Sequence, residues 1–197
     1  MAISSSQGGA SEFVYHTSGG PNLVAPTPNQ TATAPGPGRV FQCMSNELST
    51  PKLVICPADS FHTTTATNFQ GPSGTPFGAT GGDFNALGGA SGRVSFFVAG
   101  DATEADPQMT VIGDLNLGNV PGGANQPAAA RYTSAQVLAP AGNLTPTTVA
   151  WTTDTHNKAG DITLADGSVQ KLTITGVREA FQNGTNTVVY PTFNFFP

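Results

Sequence analysis

Nine residues near the C-terminal end constrain the fold of this chain more than any others. In Ile162-Thr163-Leu164-Ala165-Asp166-Gly167-Ser168-Val169-Gln170, two runs of alternating polarity flank Asp-Gly. That dipeptide tolerates the positive φ angles of a tight hairpin turn. The pattern sets Leu164 opposite Val169 across an antiparallel ladder, with Ile162 on the same side. A helix follows at once: Ile174, Val177 and Phe181 fall at i, i+3 and i+7, one stripe of a 3.6-residue period. Thr173 is placed to cap its start and Asn183-Gly184 to stop it in a left-handed conformation.

Further upstream the same tests find shorter pieces. Val40, Phe41, Met44 and Leu48 mark a short helix that must end before Pro51. Lys52-Leu53-Val54-Ile55-Cys56 is a continuous apolar run of strand length, ended by Pro57. Strands are also expected over 93–98, 109–112 and 148–152, and a last one over 187–190. Between them the chain is punctuated throughout, with 24 Gly and 16 Pro among 197 residues, about a fifth of the whole. The sum is an α+β fold: a small, mostly antiparallel sheet of four to five strands, two short helices, and long Gly/Pro/Thr-rich loops. Residues 1–37 read as an extended, loop-rich segment and residues 38–197 as the globular domain.

Charge excludes one class of partner. Twelve acids against seven bases give a net charge of −5, with no basic stripe to meet a phosphate backbone, so no nucleic acid is expected. No apolar run approaches the ~20 residues of a membrane-spanning helix. The two cysteines, Cys43 and Cys56, match no zinc spacing. Two readings stand for them: a disulfide, which in an oxidising compartment contributes about 3 kcal/mol by closing a loop of this size, or two buried free thiols. Asp101, Glu104 and Asp106 put three carboxylates in one turn-forming loop, a set of oxygens that suits calcium and equally suits plain solvation. A Ser/His/Asp set can be assembled from His156, Asp166 and the many serines, but no Gly-x-Ser-x-Gly elbow frames a nucleophile. Glu12, Glu47 and Glu104 lack the apolar setting that would raise a carboxyl's pKa for glycoside chemistry. No catalytic residue and no cofactor are expected.

His156, nine intervening residues and then Asp166-Gly167 match the H-x9-DG pattern of prepilin-type, pseudopilin-like bacterial proteins. Neighbouring blocks resemble that family in the same order. They are Met44 to Lys52 running into Cys56-Pro57-Ala58-Asp59; Phe96-Phe97-Val98 through Pro107-Gln108-Met109; Gly113-Asp114-Leu115-Asn116, where Leu115 replaces the usual Arg; and Val177-Arg178-Glu179-Ala180-Phe181. The similarity spans about residues 38–184. It implies a pseudopilin of a type II secretion or type IV-pilus-like system, whose apolar N-terminal helix, following a cleaved leader, anchors the subunit and packs in a filament while the globular domain faces the periplasm. Met1-Ala2 resembles the stretch just beyond that helix, so leader and helix are expected upstream of Met1.

The functional expectation is therefore a non-enzymatic structural subunit for protein export, with other pseudopilins and secretion-system components as partners. His156, Asp166 and Gly167 are expected to be turn architecture, with His156 tying the loop after Trp151 to the hairpin. This chain, without the apolar helix, is expected to be a monomer with no membrane anchor. The alternative is a surface module that recognises glycan or secreted cargo through its long loops and through Phe61, Phe69 and Phe77. On the other view of those rings, they staple loops to the core.

Overall fold

The computed structural model describes residues 41, 44–62, 64–69, 93–99, 102, 105–132, 136–137, 145–185 and 192–193. Residues 1–37, the 187–190 strand, Cys43, Phe77, Asp101 and Glu104 lie outside them. The fold is α+β. Its centre is a four-stranded antiparallel sheet built from β1 (Phe96–Val98), β2 (Thr110–Asp114), β6 (Ala159–Leu164) and β7 (Val169–Thr173), in the order β1-β2-β6-β7. Two small antiparallel pairs accompany it: β3 (Leu117–Asn119) with β5 (Val149–Trp151), and β4 (Gln136–Val137) with β8 (Thr192–Phe193). Among the described residues, α-helices include α1 (Ser45–Leu48) and α2 (Ile174–Thr185).

Alternation along β1 divides the core between two faces of the sheet, because successive strand side chains point to opposite sides. Phe97 joins a cluster with Leu117, Trp151, Ile162, Leu164, Ile174, Val177 and Phe181. Its neighbours Phe96 and Val98 belong to a second cluster with Phe41, Val54, Ala66 and Val94, onto which Met44, Leu48 and Phe69 pack. The C-terminal helix thus covers one face and the N-terminal segment the other. Each fully buried Phe, Ile, Leu or Val contributes about 1.5–3 kcal/mol of transfer free energy.

Helix α2 follows the expected period: Ile174, Val177 and Phe181 are its buried stripe, and the Thr173 hydroxyl accepts from the Gly176 N–H at 3.4 Å. The stop differs. The helix runs on through Asn183-Gly184 to Thr185, because Gly184 keeps a helical rather than a left-handed backbone and is buried beside Gln108 and Met109. Arg178 fastens the helix to the rest. Its guanidinium donates to the carbonyls of Val149 (2.8 Å) at the start of β5 and of Gly123 (3.0 Å) and Ala124 (2.9 Å) in the loop after β3.

Two further expectations are corrected. Residues 51–54 form a single 3-10 turn rather than a strand. Pro51 sits at its first position, where its missing N–H costs nothing, and the Thr50 hydroxyl accepts from the Lys52 N–H; Val54 is buried while Leu53 is 61% exposed. The hairpin loop is one residue longer than a two-residue Asp-Gly turn. The Gly167 N–H donates to the Leu164 carbonyl and the Leu164 N–H to the Ser168 carbonyl, both at 2.9 Å, with Gly167 at φ 84°. This is a type I turn closed by a left-handed residue, the common three-residue hairpin. Leu164 therefore faces Ser168, Thr163 pairs with Val169, and Val169 is 66% exposed. Ile162 and Leu164 do share the buried side.

Two glycines are demanded for different reasons. A Cβ on Gly167 meets nothing within 4 Å, so only its positive φ matters. A Cβ on Gly160 would stand 2.6 Å from the buried Trp151 ring. Gly167→Val should lower the melting temperature through about 1–3 kcal/mol of backbone strain, and Gly160→Ala by a similar amount through overpacking. Only Gly160→Ala should also change the emission of Trp151, the one tryptophan in the chain. Emission unchanged in both variants, or changed in both, would contradict this assignment.

Candidate functional site

Cys56, Asp59, Asp114 and His156 of the sequence blocks converge on one seam between the N-terminal segment and the sheet. Cys56-Pro57-Ala58-Asp59 closes a turn in which the Asp59 N–H donates to the Cys56 carbonyl at 3.0 Å. The Asp59 carboxylate then organises the next three residues and reaches the sheet. Its Oδ1 accepts from the backbone N–H of Phe61 (2.8 Å) and of His62 (3.2 Å). Its Oδ2 accepts from the Ser95 hydroxyl (2.7 Å) and meets His62 Nδ1 at 2.6 Å. The side chains of His62 and Asp59 are fully buried. Burial alone would push the Asp59 carboxyl up, but the donors from His62, Ser95 and Phe61 outweigh it and hold the group well below the ordinary carboxylate range. One backbone bond completes the joint, from the Ser95 N–H to the Val54 carbonyl at 2.9 Å.

Beside it lies a second group, built by β2, β6 and the loop between β5 and β6. Asp114 ends β2 and takes the Asp161 N–H of β6 on its Oδ2 at 2.7 Å. Asn116, fully buried, donates from Nδ2 to the Ala159 carbonyl at 3.0 Å, and its own carbonyl accepts the Thr152 N–H at 2.8 Å. The loop closes on itself through the Lys158 N–H and the Thr152 carbonyl, with Asn157 and Lys158 both left-handed. This projects His156 toward the seam: its Nε2 lies 3.5 Å from Asp114 Oδ2 and 3.4 Å from Cys56 Sγ. Burial pushes the Cys56 thiol up, and burial likewise raises the Asp114 carboxyl despite the Asp161 N–H and the nearby imidazole.

What this arrangement can do chemically is limited by its wiring. A nucleophile relay needs the base to face the nucleophile with one ring nitrogen and an orienting group with the other. Here Cys56 and Asp114 both face Nε2, and the thiol is shifted away from thiolate, the reactive form. Serine, histidine and aspartate also meet at Ser95, His62 and Asp59, but the hydroxyl donates to the carboxylate and all three are buried. Among the described residues no group of three metal-ligating side chains could hold a metal ion.

The expected residues fall in different places. His156 does tie its loop to the body, but through Asp114 and Cys56 rather than through the hairpin turn. Asp166 lies beyond the other end of β6, six residues or about 20 Å away along the strand, where its exposed carboxylate accepts from the Ser168 N–H at 2.8 Å. Cys56 carries a free thiol, and Cys43 lies outside the described residues, as do Asp101 and Glu104 of the acidic loop. Phe69 packs on the second core cluster, whereas Phe61 is 40% exposed and carries the Arg131 guanidinium 4.1 Å above its ring. Sequence reasoning missed Asp59–His62–Ser95 and Asp114–His156. The Asp-x-x-His spacing at 59–62 was the only signal for the first, and nothing local signals the second. No family model, curated protein or solved structure matches the chain.

Acid should loosen this seam. Because the Asp59 carboxyl is held below its unfolded value, the stability it contributes is complete above about pH 4 and is lost as pH falls further. Asp114, raised by burial, acts with the opposite sign, its protonation favouring the fold. Melting temperatures recorded from about pH 6 down to about pH 2 should fall for the parent and flatten for Asp59→Asn, whose starting stability is lower by about 2–4 kcal/mol. An acid limb equally steep in Asp59→Asn would show that this carboxylate is not the responsible group.

Proposed function

We propose that this chain is a non-enzymatic structural subunit, the periplasmic globular domain of a type II secretion pseudopilin that assembles into or decorates a pilus-like filament for protein export. The observation that carries the reading is the use made of the resembling residues. Asp59, Asp114, Asn116 and Arg178 each bind at least one backbone group, Gly167 supplies a turn, and His156 joins two segments. Residues in these roles preserve a shape, which is what a filament subunit contributes. The exposed Phe61 beneath Arg131 is the single described feature that favours the alternative of a cargo- or glycan-binding surface.

Assembly in this reading is the task of an apolar helix preceding residue 1, and the globular part supplies the decorated surface. The nucleotide sequence upstream of Met1 should encode, in frame, a Gly-Phe junction followed by about 20 apolar residues. The protein expressed with that segment should be recovered in sheared filaments, and residues 1–197 alone should remain a monomer in light scattering. A stop codon immediately upstream with nothing apolar beyond it, or a full-length protein that never enters filaments, would overturn the proposal.

A further inference from the structure

His156 presents one ring nitrogen to two partners of opposite demand. The Cys56 thiol, protonated because burial pushes it up, has a hydrogen to give. Asp114 Oδ2 is an acceptor that already holds the Asp161 N–H. Nε2 of a neutral imidazole either accepts or donates, so it serves one partner and not the other. The imidazolium can only donate. The distances, 3.4 Å to the sulfur and 3.5 Å to the carboxylate oxygen, leave the ring poised between them, and its 30% side-chain exposure admits a proton from solvent.

We propose that His156 is a proton-operated latch: while neutral it takes the Cys56 S–H on Nε2 and holds the Cys56 turn to the loop between β5 and β6, and on gaining a proton it turns to Asp114 and lets that turn go. No bond is made or broken beyond the transfer of one solvent proton to the ring, and the thiol keeps its hydrogen throughout. The charged groups around the ring come from every side. Asp114 stands on β2 and Asp161 on β6, with Lys171 of β7 paired across from Asp161. Asp59 lies beyond the thiol in the turn, and Asp154 and Lys158 belong to the loop itself. Once the sulfur loses its acceptor, it keeps the backbone groups of Ala58 and Asp59, and the turn is held to the sheet by the Asp59 network and the Ser95–Val54 backbone bond. The latch would link the ambient pH to the closure of this seam. It is independent of whether the chain is a filament subunit.

The test is nitrogen-resolved NMR of the His156 ring in the intact chain between about pH 8 and pH 5, the range in which an imidazole changes charge. At the upper end Nε2 should be unprotonated and Nδ1 protonated. On acidification Nε2 should gain its proton, and the amide resonances of Ala58 and Asp59 should move with the same midpoint. In Cys56→Ala the neutral ring should switch to the other tautomer, with the hydrogen on Nε2, because Asp114 is then its only partner. The proposal is overturned if Nε2 of the parent carries a hydrogen throughout. It is equally overturned if the ring does not titrate in this range, or if the Ala58 and Asp59 amides stay still while it does.

Discussion

A buried carboxylate taking four donors is the constraint on which the two halves of this molecule depend. Left without partners, Asp59 would cost several kcal/mol to bury as an ion. Supplied with two backbone N–H groups, a hydroxyl and an imidazole, it becomes the joint between the N-terminal segment and the first strand of the sheet. Everything on that face follows from the joint. It positions Ser95 to donate its N–H to the Val54 carbonyl, and so places Val54 over Val94 and Val98. The apolar cluster there is small, and it closes only because polar satisfaction at its rim brings the segments together.

The opposite face is held by apolar packing instead. Trp151 lies against the backbone of Gly160, where any side chain would displace it, and the stripe of α2 seals the remainder. Arg178 adds direction to that packing. Its planar fork reaches three carbonyls on two segments, which a lysine's single ammonium could not span. The sheet is thus clamped by two unlike devices, a carboxylate collecting donors on one side and a guanidinium collecting acceptors on the other.

How much of this was legible in the sequence depended on range. Helix α2 was legible because its stripe and its Thr173 cap are local, and β1, β2, β5 and the hairpin strands because short apolar runs bounded by breakers are local too. The run 52–56 misled because its apolar length outweighed Pro51 and the Thr50 cap, both of which favour a 3-10 turn. The hairpin register slipped by one residue because Asp-Gly fits both a two-residue loop and the last two positions of a three-residue loop. The seam was illegible for a different reason. His156 meets Cys56 a hundred positions away and Asp114 forty-two positions away, and no periodicity encodes such a meeting. The resemblance placed these residues in named blocks without showing that they touch.

An architectural role for the block residues makes a claim that amide exchange can test directly. In the native protein the Ser95 and Leu115 N–H groups, bonded across the joint and along β1, should be protected to a depth similar to the β6–β7 hairpin. In Asp59→Ala the Ser95 and Leu115 amides should exchange at least tenfold faster while those of Ile162 and Leu172 keep their protection, since the apolar face stays closed. Unchanged protection at Ser95 and Leu115 in Asp59→Ala would contradict the view that this carboxylate joins the two halves.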